Sequence, residues 1–90
     1  MENSEQKIEE LKQKEYFPVW VYNSTPDEED PSHEHDYDTH LLIIEGEIEI
    51  KMDGKTIILK SSDEVDIPRG KIHYGKAGKN GCKYIVAEKH

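Results

Sequence analysis

The chain is short, acidic and polar. It has 90 residues, 36% of them charged and 33% hydrophobic, and 20 acidic residues against 12 basic ones give a net charge of −8. A chain of this length forms one domain around one small core. The acidic balance argues against binding to nucleic acid or to anionic membranes, because both require clustered lysine and arginine.

Cysteine usage and the N-terminus indicate the compartment. The single cysteine, Cys82, allows neither an intrachain disulfide nor a cysteine-based zinc site, and a lone thiol is typical of a reducing environment. The N-terminus lacks the apolar core of a signal peptide, and no apolar run has membrane-spanning length. We therefore expect a soluble protein of the cytoplasm.

The first fifteen residues predict an arm or a short helix. Residues 4–15 are rich in helix-forming side chains, Ser4 is a candidate cap, and Ile8 and Leu11 make a narrow apolar stripe. A helix this short is marginal alone, so we expect a frayed arm or a segment docked on a partner. The predicted division is an arm over 1–15 and one β-domain over 16–90.

Two contrasting stretches follow the arm. Residues 16–22 are aromatic and β-branched, which predicts a first strand with Pro18 near its start. Residues 23–32 contain two prolines and the acidic run 27–30, which predicts a loop. We interpret those acids as a solvated surface, and the alternative is that they attract a cation toward the nearby histidines.

The clearest pattern is a β-hairpin within residues 39–59. Asp53-Gly54 suits a type I′ turn, in which both central residues have positive φ. A slip of one residue would turn the apolar face to water, so the pattern also sets the register. Pairing outward from the turn predicts these partners: Met52 with Lys55, Ile50 with Ile57, Ile48 with Leu59, Glu49 with Ile58 and Glu47 with Lys60.

The rest of the chain predicts further short strands. Leu41 to Ile44 is apolar on both faces, as in a strand covered on both sides by a sandwich or a subunit contact, and Gly46 predicts a bend after it. Strands are also predicted at 65–67 and 83–88, with turns at 61–64 and 68–70 and a loop at 76–81. Six or seven such strands predict an all-β, antiparallel sandwich or barrel.

Three histidines lie within eight residues of one another. His33 and His35 share one face of an extended segment and could bind one metal ion, because neutral imidazole is the commonest protein ligand for transition metals. The side chain of His40 is expected on the opposite face of that segment. The alternative interpretation is a polar loop that happens to contain histidines.

Two spaced motifs resemble those of the cupin family. The family's first motif is Gly, five residues, His-x-His, three or four residues, Glu, six residues, Gly, and its second is Gly, five residues, Pro-x-Gly, two residues, His, three residues, Asn. The likeness covers roughly residues 19–88. The matching positions here are Asp27, His33-Glu-His35, Thr39 and Gly46 in the first motif, and Ser62, Pro68-Arg-Gly70, His73 and Ala77 in the second.

The resemblance implies a cupin-like jelly-roll barrel and a metal site at its mouth. His33, His35 and His73 would be the ligands of a divalent transition metal, with Fe, Zn, Mn, Ni and Cu all compatible with three imidazoles. Thr39 replaces the family's metal-binding glutamate. Asp38 and His40 are weaker alternative ligands, which a strand bulge would have to turn inward.

Two functions are compatible with this resemblance, because the fold hosts both. One is a metal-dependent protein that acts on or binds a small polar molecule such as a sugar, carboxylate or thiol, with oxygenase, isomerase or lyase chemistry among the activities implied. The other is a non-catalytic small-molecule-binding or sensor module without a functional metal centre. Three spaced histidines favour the first, and the missing acidic ligand favours the second.

Several neighbouring residues are candidates for secondary roles. Tyr37 and Tyr74 adjoin ligand positions, where a phenol could act as an acid or simply pack in a strand. Arg69 and Lys71 could receive a carboxylate or be surface charges. The predicted substrate-pocket residues are Val21, Leu41, Ile43 and Met52, with Val19 and Tyr84 also considered.

We also expect a homodimer. A chain this small and polar gains little net stability from its own core, and a dimer would bury more surface. The candidate contacts are the strand Leu41 to Ile44 and the segment Tyr16 to Tyr22, which includes Trp20.

Overall fold

A computed structural model describes residues 4–90, which form one helix and six strands. Each strand pairs only in the antiparallel sense, and the short N-terminal helix precedes them all, as predicted. The elements are α1 (Ser4–Gln13), β1 (Val19–Ser24), β2 (Glu29–His33), β3 (Asp38–Met52), β4 (Lys55–Lys60), β5 (Glu64–Ile67) and β6 (His73–Lys89).

Two long strands, β3 and β6, pair along their whole length and build the barrel. The first half of β3 pairs with β5, the second half of β6 pairs with β1, and these two halves pair with each other, which gives one layer. The second half of β3 pairs with β4, and the first half of β6 pairs with β2, which gives the other layer. The chain is therefore an antiparallel jelly roll in which both long strands pass from one layer to the other.

Glycine makes the crossing between layers possible. The register of β3 with β6 shifts between Ile43 and Glu45 and again between Gly46 and Ile48. Gly46 and Gly81 both have positive φ at this crossing, and a Cβ on Gly46 would collide with the carbonyl oxygen of Gly81. The bend expected at Gly46 is therefore a bulge inside one continuous strand, not a break between two.

The hairpin was predicted correctly to the residue. Asp53 and Gly54 both have positive φ, and β3 pairs with β4 in the register expected, with Ile50 opposite Ile57 and Glu47 opposite Lys60. Ile48, Ile50 and Leu59 are buried. Local turn chemistry and a one-sided apolar pattern were sufficient here because both act between residues close in sequence.

Three predicted boundaries were wrong. The first strand begins at Val19, not at residue 16, and the predicted loop 23–32 contains β2, whose Pro31 is tolerated on a strand paired on one side only. The predicted loop 76–81 lies inside β6, because β3 supplies a partner strand along its length. Pairing with a distant strand overrode the local loop signals in both places.

The apolar residues form two clusters on opposite faces of the sheet. The barrel interior holds Leu41, Ile43, Ile48, Ile50, Leu59, Ile67, Ala77 and Cys82, whereas the outer face of the first layer holds Leu42, Ile85 and Ala87. Leu11 of α1 is buried against that outer face, with Ile8 and Val21 packed beside it. The helix is thus docked on its own sheet, an arrangement that neither of the sequence alternatives contained.

This arrangement explains why Leu41 to Ile44 is apolar on both parities. Leu41 and Ile43 point into the barrel, and Leu42 and Ile44 pack under α1. No part of that strand needs a second subunit to cover it. Within residues 4–90, α1 is too short and too polar to cross a lipid bilayer.

Candidate metal centre

Three histidines from two separate segments meet at one end of the barrel. His33 ends β2 and pairs with His73, which begins β6, so the sheet register places them side by side. His35 follows in the connection to β3. Its backbone carbonyl accepts a hydrogen bond from the Gly70 amide at 2.8 Å, which ties the second motif to the first. The long-range strand pairing therefore assembles the three residues that the sequence motifs singled out.

The ring nitrogens of this triad converge. One nitrogen from each of His33, His35 and His73 lies within 4.8 Å of the others, and the Nε2 atoms of His33 and His35 are 3.0 Å apart. Two imidazoles bound to one ion at roughly 2.1 Å each have nitrogens no more than about 4.2 Å apart, so the His33–His35 spacing fits a shared ion. Either one proton or one metal ion between these nitrogens satisfies both lone pairs.

Backbone carbonyls hold two of the rings from behind. His33 Nδ1 donates to the Pro31 carbonyl at 2.6 Å, and His73 Nδ1 donates to the Lys71 carbonyl at 2.9 Å. When Nδ1 of a neutral ring carries the proton, the lone pair of Nε2 is available to bind a metal ion. This is the outer-sphere arrangement that orients histidine ligands in metal sites.

The electrostatics of the site favour the neutral form of His35. Burial, and then repulsion from His33 and His73, lowers the pKa of His35 below its usual value. Neutral imidazole is the form that binds a metal ion. The donor set of three nitrogens, with two rings held from behind, therefore fits a divalent transition metal on chemical grounds.

The triad opens into a cavity of about 300 Å³ inside the barrel. Its floor is apolar, and its walls carry aromatic and acidic side chains. The lining residues are Trp20, Tyr22, Glu28, Asp30, His33, His35, Tyr37, Thr39, Leu41, Ile48, Ile50, Ile67, His73, Gly75, Tyr84, Val86 and Glu88.

Thr39, at the position of the family's glutamate, lines this cavity. Its side chain is only 6% exposed, and its Oγ1 has no hydrogen-bond partner among residues 4–90. A buried hydroxyl without a partner is uncommon and costs free energy. Thr39 therefore offers an unsatisfied polar atom to whatever occupies the cavity.

The two weaker ligand candidates face away from the triad. Asp38 Oδ1 accepts a hydrogen bond from the Arg69 amide at 2.9 Å and so fixes the turn that precedes His73. His40 lies on the outer face of the sheet, where its ring nitrogens contact Asp66 at 2.7 Å and Glu64 at 2.8 Å. The bulges of β3 come after these residues, so strand parity keeps both outside the cavity.

The two tyrosine candidates lie in different places. Tyr37 lines the cavity and stacks on His35, with ring centroids 4.7 Å apart and an interplanar angle of 20°. Burial and the nearby Glu88 carboxylate raise the pKa of Tyr37, so its phenol is protonated at neutral pH. Tyr74 lies outside, where its hydroxyl donates to Glu29 at 2.6 Å and this hydrogen bond raises its pKa to about 12.

The two cationic candidates also lie outside the cavity. Arg69 and Lys71 line a separate outer groove beside the hairpin turn, and Lys71 Nζ is 2.7 Å from Asp53 Oδ1. Neither side chain lines the cavity in front of the triad. A carboxylate bound inside the cavity would therefore not meet these two residues, although His73 lines both the cavity and the groove.

The predicted pocket residues divide between the two faces of the sheet. Leu41 and Tyr84 line the cavity, whereas Ile43 is buried deeper in the core and Met52 lines the outer groove. Val19 and Val21 pack under α1 on the outer face. For Val21 the placement differs from the expectation because β1 turns its alternate residues, Trp20 and Tyr22, toward the cavity.

Among the aromatic and acidic residues that line the cavity, sequence reasoning missed five: Trp20, Tyr22, Glu28, Asp30 and Glu88. Glu28 and Asp30 belong to the acidic run interpreted as a solvated surface, and the Tyr22 hydroxyl donates to Glu28 and lowers the pKa of that carboxyl. The alternation of Glu28 with Asp30 was a signal for one shared face. Recognising it required knowing that residues 29–33 form a strand.

Comparison with known proteins agrees with this architecture. The family model described as "Cupin domain" matches residues 20–87. No curated protein matches the chain at a significant level.

Solved structures extend the comparison. A cupin superfamily protein of Desulfitobacterium hafniense is 29% identical, with a TM-score of 0.70 over 80% of this chain and 66% of its own. A cupin-2 domain protein of Shewanella frigidimarina is 26% identical, with a TM-score of 0.69 over 80% of this chain and 69% of its own. KdgF from a Halomonas species shares the fold at 15% identity, with a TM-score of 0.69 over 80% of this chain and 67% of its own.

The family model covers well over half of the chain, and the two motif segments lie inside the matched range. Members of this family bind small-molecule ligands and commonly hold transition metals. The chain belongs to the cupin family.

Proposed function

We propose that this protein binds one divalent transition metal ion through His33, His35 and His73 and uses the adjoining cavity for a small polar molecule. The observation that carries the proposal is the convergence of three ring nitrogens within 4.8 Å. Two of these rings donate hydrogen bonds from Nδ1 to backbone carbonyls, and this leaves the lone pair of each Nε2 available to bind a metal ion. Such an ion would supply Lewis-acid activation of a bound oxygen or nitrogen group.

The chain's own residues would bind and orient the small molecule. The protonated phenol of Tyr37, stacked on His35, can donate a hydrogen bond to a group held near the triad. Thr39 Oγ1 can accept or donate a second one. Leu41, Ile48 and Ile50 exclude water from the apolar floor.

The second candidate function is a binding or sensor module without catalysis. Thr39 favours it, because a neutral hydroxyl replaces the carboxylate that would complete the ligand set. This alternative binds a small molecule without a functional metal centre, so the two candidates differ in metal binding and in turnover. A Thr39→Glu variant separates them: if the carboxylate is all that is missing, the variant binds metal more tightly, and any turnover on a panel of small polar molecules appears in the variant alone.

Metal analysis and thermal melting test the proposal. Protein expressed in metal-supplemented medium is expected to carry about one equivalent of metal, and a His33→Ala/His73→Ala double variant none. Because a ligand of the native state stabilises it by mass action, Zn²⁺, Ni²⁺, Mn²⁺ or anaerobic Fe²⁺ should raise the Tm of the stripped wild-type protein. Equal metal content in the two proteins, or no Tm shift with any of the four ions, would refute the metal site.

The expected cytoplasmic homodimer belongs to the same proposal. Of the surfaces suggested for the contact, the strand Leu41 to Ile44 is covered by the barrel core and by α1, and Trp20 lines the cavity, whereas Phe17 of the segment Tyr16 to Tyr22 is exposed. Phe17 is 74% exposed and Ile72 is 64% exposed, and these apolar side chains are better candidates for a subunit contact. Light scattering of wild-type protein beside a Phe17→Ser/Ile72→Ser variant tests the dimer, which the variant should weaken.

A further inference from the structure

We propose that the cavity in front of the histidine triad selects a small organic cation, an ammonium compound that also carries a hydroxyl or another polar group. This inference names the ligand class for the proposed small-molecule function and rests on that function. It does not require the metal ion to be bound.

The charge of the cavity wall is the first argument. Glu28, Asp30 and Glu88 line the cavity, and within residues 4–90 no lysine or arginine does. The three carboxylates outnumber the two positive charges of one divalent ion. The wall therefore repels a carboxylate or phosphate ligand and attracts a cation with or without the metal.

Glu88 is the most enclosed of these acids. Its side chain is 15% exposed, and its carboxylate accepts a hydrogen bond from His90 Nε2 at 2.9 Å. Glu88 pairs with Thr39 across β3 and β6. It therefore lies beside the position at which the cupin motif has its metal-binding glutamate. Glu88 therefore places a carboxylate in the part of the cavity wall beside Thr39.

Aromatic side chains line the wall beside these carboxylates, and the Tyr22 hydroxyl donates a hydrogen bond to Glu28. Tyr22 and Tyr84 lie with ring centroids 5.6 Å apart at an interplanar angle of 51°, and Trp20 projects from the same face of β1 as Tyr22. Trp20 and Tyr22 are 37% and 38% exposed, so both present their rings to an incoming ligand. Aromatic rings beside carboxylates are a setting in which proteins bind ammonium groups through cation–π attraction.

Thr39 provides the independent sign that a ligand belongs here. Its Oγ1 is buried and has no partner among the described residues, although Thr39 lines the same cavity as the carboxylates. A hydroxyl or amine hydrogen on the ligand would satisfy it. The cation is therefore expected to carry a polar group at the end that faces the triad.

Matched probes test the charge requirement directly. Choline is compared by calorimetry with its uncharged isostere, in which a tert-butyl group replaces the trimethylammonium group, and with tert-butylacetate, the anion of similar shape. Each is titrated into metal-stripped and into Zn²⁺-loaded protein. Because the isostere has the same apolar area, we expect choline to bind at least about tenfold more tightly, and the anion not to bind at all.

Variants locate the effect. Glu88→Gln keeps the shape of the side chain and should reduce choline affinity several-fold, and Trp20→Leu should do the same. Glu45→Gln is the matched control, because Glu45 is an exposed acid on β3 that does not line the cavity. A loss of choline affinity in the control equal to that in Glu88→Gln would mean that the net charge of the protein, and not the cavity, binds the probe, and would overturn the proposal.

The outcomes also separate this inference from the metal site. Zn²⁺ binding without any preference for choline over its isostere would overturn the cation inference and leave the metal proposal standing. Choline selectivity in a protein that binds none of the four metal ions would refute the metal site and leave the cation inference standing. Tighter binding of the anion would refute the cation inference in either protein form.

Discussion

Two histidine sites, one inside the barrel and one on the outer face of the first layer, have opposite surroundings. In the cavity, His33, His35 and His73 turn ring nitrogens toward one another, with backbone carbonyls behind two of the rings. On the outer face, both ring nitrogens of His40 are occupied by carboxylates of β5, and Tyr16 packs beside it with ring centroids 6.0 Å apart. The triad therefore has ring nitrogens available to bind a metal ion, whereas His40 has none.

The partner behind each ring decides what a histidine can do. A carbonyl behind Nδ1 holds a neutral ring with one nitrogen available for a metal ion. In the second site, the carboxylates of Glu64 and Asp66 contact both nitrogens of His40, and these contacts link β3 to β5 beside the helix. Thr39 and His40 are adjacent in sequence, yet strand parity gives one to the cavity and the other to the outer face.

The largest effect is expected from removing triad ligands. His73→Ala should weaken Zn²⁺ or Ni²⁺ binding by more than about 100-fold, which exceeds the usual loss when only a residue behind a ligand is removed. His40→Ala should leave metal affinity within a factor of about three, since His40 contributes no donor to the cavity. Calorimetric titration of both variants measures this contrast, and equal losses in the two would show that the sites are not separate.

Removing Leu11 should affect only the outer face. Leu11 is buried against Leu42, Ile85 and Ala87, so Leu11→Ala should lower the free energy of unfolding by about 2 to 4 kcal/mol. Metal affinity of the folded variant should be unchanged. Urea denaturation, paired with metal titration, checks both statements, and an unchanged unfolding midpoint would show that α1 does not cover the sheet in solution.

The His40 contacts should contribute a smaller amount. Glu64 and Asp66 have side chains 45% and 73% exposed, and solvent screening therefore weakens their attraction for the ring. We expect His40→Ala to lower the unfolding free energy by about 1 kcal/mol. A loss above that of Leu11→Ala in the same urea series would contradict the ranking of packing over charge on this face.

A further prediction concerns pH. The pKa of His35 is lowered in the folded protein, so the fold favours its neutral form, and the stabilisation is complete above the unfolded value of 6.5 and is lost as the pH falls below it. Metal affinity should decline in the same direction, because protons compete for the donor nitrogens. Titrations at pH 7.5 and 5.5 should differ by at least about tenfold in the wild type, and a pH-independent affinity would argue against imidazole ligands.

Much of this architecture could be read from local sequence, and the hairpin shows why. Asp53-Gly54 and the alternating Ile48, Ile50, Ile57 and Leu59 set a register that the structure reproduces. By contrast, β2 and the middle of β6 were read as loops, because their prolines and glycines outweigh the weak strand signal when no pairing partner is known. Gly46 was read as a bend, and only its closeness to Gly81 shows why a bulge is needed there.

Spacing along the chain is enough to predict the family resemblance, the all-β class, the hairpin register and the three histidines. Only the tertiary structure decided which side chains share the cavity. Glu88 lies near the end of the chain and Trp20 near its beginning, yet antiparallel pairing of β1, β3 and β6 brings both beside the triad. Which face of the sheet a residue occupies depends on bulges and on the strand beside it, and those are properties of contacts between residues far apart in sequence.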